Sequence, residues 1–554
     1  MSRMSGARFI AETINGYRVT HVFFVPAIMW KTLVEMDKLG IQRVVTHSEK
    51  AAAYMADGYA RASHRPGVCL AQSVGAANLA SGLQDAYLGL SPVIALTGRR
   101  PPLQKYRHSY QEIDHMPLFQ PVTKFNATVD RVEQLPLLLR QSFREATSGA
   151  PGPVHLDIQG VQGEVATEPE TDLEIVVEHR FSTYPPFRPG PEPERIQEAV
   201  KLLLKSRRPV IVAGGGVTAS QAGKEVVALA EKLSIPVATS LNGKGSILDT
   251  HPLAVGVVGS YSRQCANDVV SEADLVIFIG SHTGSQVTND WKVPRTGTAV
   301  VQIDVDPAEL GRNYPAHVAL LGDARVTLQR LSESLPSRKR TEWTKQAGKL
   351  VAAWRAEMAS SLTSDATPIR PERICKELTD FLPSDALLVS DTGHAAIWSG
   401  TLIDLKQPGQ GYIRSAGSLG WGFPAALGAK CALPERPVIC FTGDGGFWYH
   451  LAEMETAVRY GINTVTVINN NHSLNQCKKL AEDAHANQRG SSDELWRFHE
   501  TDLARIARDM GCFGTRVTEP GRIRQALHAA LRSGKPAVVE VVSDADILAP
   551  TPHH

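Results

Sequence analysis

The sequence predicts an α/β chain of three doubly wound parallel-sheet domains, and three observations carry that prediction. Short β-rich apolar runs alternate with helical stretches from end to end. Two proline-rich or polar segments, near 168–194 and 363–370, interrupt the alternation and cut the chain into similar thirds. Finally, 554 residues exceed what one hydrophobic core holds, at roughly 150 residues per domain. Domains are therefore expected at 1–165, 190–335 and 365–548.

In the first third, VTHVFFVP, QRVVTH, GVCLAQS, SPVIALTG and PVHLDIQG read as buried strands, with EKAAAYMADGYARAS as a helix between them. The stretch EPETDLEIVVEHRFSTYPPFRPGPEPE then reads as a linker. The second third opens at RRPVIVAGGG and continues through IPVATS, ADLVIFIGS and TAVVQIDVD. A long charged helix, SRKRTEWTKQAGKLVAAWRAEM, closes it. In the last third the strands are ALLVSDTG, RPVICFTGDGG, NTVTVINNN and PAVVEVVSD, with FWYHLAEMETAVRYGI as a helix before the third.

Composition excludes several classes. A net charge of +1, with 43% hydrophobic and 21% charged residues, offers nothing for nucleic acid or a membrane surface. No apolar run approaches the ~20 residues that cross a bilayer. At the N-terminus, Glu12, Asn15 and Arg18 break the apolar pattern that a signal peptide needs. Seven scattered cysteines, never spaced C-x-x-C, suit reduced thiols in a cytoplasmic protein. His553 and His554 read as a loose tail or part of a tag.

The chemistry concentrates near the C-terminus. RPVICFTGDGG, the helix after it and NTVTVINNN form a β-turn-helix-β unit, whose right-handed crossover brings both strand ends to one sheet edge. Asp444 and Asn471 should therefore lie close together where open α/β sheets bind ligands. A carboxylate, an amide oxygen and a loop carbonyl are hard donors suited to Mg²⁺, which shares its octahedron with phosphate oxygens. Gly443, Gly445 and Gly446 would let backbone approach a phosphate, aided by a helix N-terminus. Taken singly, the D-G turn and the asparagine cluster are ordinary turn formers. Their pairing at this spacing is what points to a site.

On GDGG at 443–446 and INNN at 468–471, the chain resembles the thiamine-diphosphate-dependent enzymes. That group contains acetohydroxyacid (acetolactate) synthases, 2-oxo acid decarboxylases and 2-hydroxyacyl-CoA lyases. The resemblance covers nearly the whole chain and implies pyrimidine-binding, middle and diphosphate-binding domains in that order. It makes Asp444, Asn471 and the carbonyl of Ser473 the Mg²⁺ ligands, with Asn470 beside them and no role for Asn469. Glu49 stands where the family's glutamate bonds N1′ of the aminopyrimidine, so that N4′ takes the C2 proton. The bland reading of Glu49 is a first-turn carboxylate favoured by the helix dipole.

Leu419, in RSAGSLGWGFPAALGA, falls at the position of the bulky apolar side chain that bends the cofactor. Gly393, His394 and Ala395 match positions lining the diphosphate, although synthases carry Gln and His at the last two. By resemblance, Glu49 of one chain serves a cofactor held by Asp444 of another, which implies a homodimer or homotetramer.

The segment 109–129 looks most like acetohydroxyacid synthase, with Tyr110-Gln111-Glu112 for Phe-Gln-Glu. Gln111 is a candidate donor to a substrate carbonyl or carboxylate. His108 and His115 are candidate proton shuttles or plain structural hydrogen-bonders. Three departures suggest a substrate other than two pyruvates, larger or less anionic. Pro26-Ala27-Ile28-Met29 puts an apolar wall where synthases have Pro-Gly-Gly. Gly160 replaces a lysine, and HSLNQCKKLAEDAHANQ does not match the synthases' lid. His472 and Asn475, just past the metal loop, are candidate pocket residues. The middle domain carries Gly214-Gly215-Gly216 and Gly256-Val257-Val258-Gly259. By resemblance it holds structural FAD in the synthases, ADP in the CoA lyases and nothing in many decarboxylases.

The expected activity is thiamine-diphosphate- and Mg²⁺-dependent decarboxylation of a 2-oxo acid with carboligation to a second carbonyl. One alternative is a lyase or decarboxylase that releases an aldehyde. Another is a non-catalytic cofactor-binding subunit.

Overall fold

The computed structural model describes residues 2–550 apart from 168, 169, 340, 487 and 489, so His553 and His554 lie outside it. Each third of the chain holds a six-stranded sheet, parallel throughout. In the first, β1 (His21–Phe24), β2 (Gln42–Val45), β3 (Gly67–Ala71), β4 (Val93–Arg99), β5 (Phe125–Val129) and β6 (Val154–Gln159) run in the order β2-β1-β3-β4-β6-β5. In the second, β7 (Pro209–Ala213), β8 (Val237–Thr239), β9 (Ala254–Val257), β10 (Leu275–Ile279), β11 (Ala299–Asp304) and β12 (Val318–Leu321) run β9-β8-β7-β10-β11-β12. That is the order of dinucleotide-binding sheets. In the third, β13 (Leu387–Ser390), β14 (Gly411–Arg414), β15 (Val438–Gly443), β16 (Val465–Asn470), β17 (Phe513–Val517) and β18 (Ala537–Val542) run β14-β13-β15-β16-β18-β17. The first and third sheets thus share one topology and the middle sheet has another.

Strands covered on both faces must be apolar at every position, and β3, β4, β7 and β10 are buried throughout. The sequence reading passes over β5, β9, β12, β14 and β17, and each of these lies at a sheet edge. The stretch 170–194 is less loose than its composition suggests. Thr171–Leu173 pairs antiparallel with Ser2–Met4, and Phe181 and Tyr184 are buried.

Among the helices are α1 (Glu49–Ser63), α2 (Gly75–Leu88), α4 (His394–Leu402), α5 (Gly422–Ala432), α6 (Asp444–Trp448) and α7 (Glu453–Tyr460), and the long charged helix of the sequence reading is α3 (Thr341–Leu362). The helix expected over 447–462 is thus two short ones with a turn between. Ser48 caps α1 by accepting from the Ala51 N–H, which makes Glu49 its first residue. The small face of α1 crosses α5 at backbone contact. A Cβ on Gly58 would collide with the Ala425 carbonyl oxygen, and one on Gly428 with that of Met55. Ala52, Met55 and Tyr59 share one core with Trp421, Phe423 and Leu427, so the first and last domains of a chain are joined without a seam.

Arg263 ties the middle domain to the last through Asp404 at 2.6 Å, and Asp249 of its own domain also holds it at 3.1 Å. The charges around Asp404 hold its carboxyl well below the usual carboxylate range against the cost of burial. Among the described residues, no helix is long and apolar enough to cross a membrane.

Candidate cofactor site

β13 and β15 are neighbours, but their chains leave in opposite directions, to β14 and to β16. The crevice at their carboxyl ends is the topological switch point of the third sheet. Asp444 follows β15 there, and Asn471 follows β16. The Asp444 carboxylate accepts from the N–H of Ser473 at 2.9 Å and of Asn471 at 3.4 Å. Ser473 Oγ donates to Asn471 Oδ1 at 2.7 Å. Asp444 is 2% exposed, and burial pushes its carboxyl up to about 7.

A buried carboxylate beside an amide oxygen and a loop carbonyl fits a hard divalent cation. Among the described residues no cluster of three His, Cys, Asp or Glu is arranged for a metal. This donor set therefore leaves much of an octahedron to ligand oxygens and water, as Mg²⁺ bound to a diphosphate requires.

Asn470 anchors this loop. Its Nδ2 donates to the buried Glu540 at 2.7 Å, and its Oδ1 accepts from the His472 N–H at 3.0 Å. Burial raises the Glu540 carboxyl in turn. The side-chain oxygen of Asn469 is buried without a partner. The three glycines divide their work. The Cβ position of Gly443 faces open space, its nearest neighbour 4.0 Å away. At Gly445 and Gly446 a Cβ would press on Leu474 at 2.6 Å and on Asp391 at 2.5 Å. Those two are glycines because the protein packs on them, and only Gly443 leaves room for a ligand. The five-residue α6 contributes little dipole.

The opposite wall follows β13. Gly393 has φ +68° and faces Gln476 Oε1, while His394 opens α4 with burial lowering its pKa to about 4. Ala395 is buried. Leu419 is 37% exposed, a large apolar side chain presented at the lip of the crevice. Its two neighbours are held by buried carboxylates that sequence reasoning missed. Ser418 donates its N–H to Asp85 at 3.0 Å, and Gly420 donates to Asp391 at 3.2 Å. Asp391 sits in the DTGH turn already singled out, but Asp85 lies mid-helix and carries no local signal.

Glu49 lies in the first domain, where Asn78 Nδ2 donates to its Oε2 at 3.1 Å and Gly75 leaves room for Oε1. Both neighbours belong to α2 of the same domain. Val74, beside Gly75, is exposed. Gln111 has φ +60°, and its side-chain oxygen is buried without a partner. Its carbonyl accepts from Ser73 Oγ at 2.5 Å. Tyr110 and His108 lie on the exposed loop before it.

Several candidate pocket residues face elsewhere. Ile28 and Met29 are 0% and 1% exposed and pack into the first domain's core, so that turn buries its apolar side chains instead of walling a pocket. Left-handed backbone at Ala27 (φ +91°) and Met29 (φ +44°) turns them inward. His115 is buried, with Nδ1 on Asp157 at 2.9 Å and Nε2 on the Ser73 carbonyl at 2.8 Å, so neither nitrogen is free to shuttle a proton. Asn475 is buried and donates to the Ala545 carbonyl at 2.6 Å. His472, with φ +54°, is half-buried between Asn471 and Ser473.

A second cavity, of about 380 Å³, opens where the three domains meet. It lies at the switch point of the middle sheet, between the turns after β7 and β10, and is lined by Gly215, Gly216, Gly280, His282, Asp304 and Arg414. Close approach of Gly216 and Gly280 brings the two turns into backbone contact.

Three family models match the chain: the thiamine pyrophosphate enzyme N-terminal TPP binding domain over residues 4–118, the central domain over 196–331, and the C-terminal TPP binding domain over 391–541. Relatives match over nearly the full length. A probable acetolactate synthase large subunit of Methanocaldococcus jannaschii is 35% identical, covering 98% of this chain and 92% of the relative. One from Methanococcus aeolicus is 33% identical with the same coverage. The acetolactate synthase isozyme 3 large subunit of Escherichia coli is 29% identical over 98% of this chain and 96% of its own length.

Proposed function

The chain belongs to the thiamine pyrophosphate enzymes, and from that premise we propose that it decarboxylates a 2-oxo acid and joins the acyl fragment to a second carbonyl, in the manner of acetolactate synthase. The observation that carries this reading is the convergence of Asp444, Asn471 and Ser473 at the switch point of the third sheet, in a chain similar to acetolactate synthase large subunits along its length. Bound thiamine diphosphate supplies a nucleophilic carbon and an electron sink for the pair released with CO₂.

The protein's part is binding and placement. Asp444, Asn471 and the Ser473 carbonyl would hold Mg²⁺, and Gly443, Gly393, His394 and Ala395 would line the diphosphate. Leu419 would pack beneath the cofactor's rings, and Glu49 would hold a proton at its aminopyrimidine. Glu49 has its neighbours Asn78 and Gly75 on α2 of its own domain, and Val74, next to Gly75 in the chain, is exposed, which supports a site completed by the last domain of a second chain. The working protein is then a homodimer or homotetramer. The cavity lies at the switch point of a sheet with the order of dinucleotide-binding sheets, which supports a nucleotide there: structural FAD as in the synthases, or ADP as in the CoA lyases.

Gly160 favours a second reading, in which the substrate differs from two pyruvates or the product is a released aldehyde. Its φ is +97°, and a Cβ there would collide with Glu164, so the backbone has no room for the synthases' lysine. The deciding assay follows CO₂ and carbon products by NMR with thiamine diphosphate, Mg²⁺ and pyruvate. Acetolactate supports the synthase reading. No turnover with cofactor bound moves the search to bulkier oxo acids, diketones and acyl-CoAs. Asp444→Ala should abolish metal-dependent cofactor binding. Glu49→Gln should keep binding but slow C2–H exchange by orders of magnitude, and unchanged exchange would sink its role.

A further inference from the structure

We infer that Asp85 and Asp391 are positioning residues that clamp the loop carrying Leu419 from two different domains. The inference rests on the reading of Leu419 as the side chain that bends the cofactor. Residues 415–420 form no regular element, yet their backbone is tightly held. Asp85, on α2 of the first domain, has a fully buried side chain. Its Oδ2 accepts from Ser415 Oγ at 2.8 Å, the Gly417 N–H at 3.1 Å and the Ser418 N–H at 3.0 Å. Its Oδ1 accepts from the Ala416 N–H at 2.9 Å and from Arg61 Nη2 at 3.1 Å.

Asp391 holds the far side. Its Oδ1 accepts from the N–H groups of Gly420 at 3.2 Å and Thr392 at 2.8 Å, and its Oδ2 accepts from Thr442 Oγ1 at 3.0 Å. Leu419 is the residue between the two clamps, and it is the one that projects. A buried carboxylate is costly unless its lone pairs are filled. The two aspartates therefore draw the loop's amides inward, and that leaves the leucine to face the crevice.

The hydrogen-bond pattern makes the two sites respond differently to asparagine. At position 391 an amide can keep every contact. Its oxygen takes the two N–H groups, and its NH₂ gives to Thr442 Oγ1, whose hydroxyl turns to the Gly443 carbonyl 3.1 Å away. At position 85 either orientation fails. An NH₂ in place of Oδ2 faces the Gly417 and Ser418 N–H groups, and in place of Oδ1 it faces Ala416 N–H and Arg61.

The test compares full-length Asp85→Asn, Asp391→Asn, Asp391→Ala, Leu419→Ala and the double variants of Leu419→Ala with Asp85→Asn and with Asp391→Ala. Three quantities are read: amide exchange of the 415–421 segment without cofactor, the cofactor dissociation constant, and C2–H exchange with thiamine diphosphate and Mg²⁺ bound. Asp85→Asn and Asp391→Ala should speed amide exchange and slow C2–H exchange by roughly tenfold or more, with a smaller change in cofactor affinity. Asp391→Asn should stay near the parent protein. On a Leu419→Ala background, Asp85→Asn or Asp391→Ala should add nothing, because both act through the same side chain.

Additive effects, or normal C2–H exchange in Asp85→Asn, overturn the inference. If Asp85→Asn does not fold, the Asp391→Ala cycle decides. Unchanged C2–H exchange in Leu419→Ala would instead remove the bending role of Leu419, and amide exchange would still report whether the carboxylates hold the loop.

Discussion

A methyl group on Gly75 would collide with the carboxylate of Glu49. The glycine sits in the first turn of α2, where alanine is the better helix former by roughly 1 kcal/mol. Gly75→Ala should therefore leave the melting temperature unchanged or raised and keep metal-dependent cofactor binding, while slowing C2–H exchange as Glu49→Gln does. Normal exchange in that variant would show that the carboxylate can move aside at no cost. Asn470 teaches a similar lesson. The middle asparagine of INNN holds Glu540 and the His472 amide, so it shapes the loop on which Asn471 sits.

At the scale of elements, the α1–α5 crossing decides how the first and last domains meet. Gly58 and Gly428 allow backbone to touch backbone, so neither helix can withdraw without opening the core they share. Gly428→Val forces a branched side chain against the Met55 carbonyl, and overpacking of this kind costs about 1–3 kcal/mol or more. We expect a lowered urea midpoint together with weaker protection of the 415–421 segment, because Asp85 reaches that loop across the same interface. A lowered midpoint with unchanged protection would uncouple the two.

For the whole molecule, acid should act through buried and half-buried histidines. Burial lowers His21 and His450 to about 4 and holds His155 well below its ordinary value of 6.5, where the neighbouring His115 adds to the effect. Their folded pKa values lie below the unfolded one, so the unfolded chain takes up protons first. The stability they contribute is complete above about 6.5 and is lost as pH falls towards about 4. His450→Gln should flatten the fall in urea midpoint between those limits relative to the parent protein. An identical pH profile would exclude His450 as a contributor.

Much was legible in the chain before any coordinates, for one physical reason. Central parallel strands are buried on both faces and must be written in continuous apolar residues, so all twelve of them read directly, and the edge strand β2 reads with them. The other edge strands, β5, β9, β12, β14 and β17, escape because their runs FNATV, AVGV, VALL, GYIR and FGTRV are brief or broken by polar residues and glycine. β5 and β17, for example, are only half-buried along most of their length. The meeting of Asp444 with the Asn471 loop was equally readable, since one local crossover brings them together. The inward turn of Ile28 and Met29, the burial of His115 and the grip of Asp85 on a loop more than three hundred residues away were not. Those depend on which surfaces meet once separate sheets pack, and no local pattern of residues encodes that.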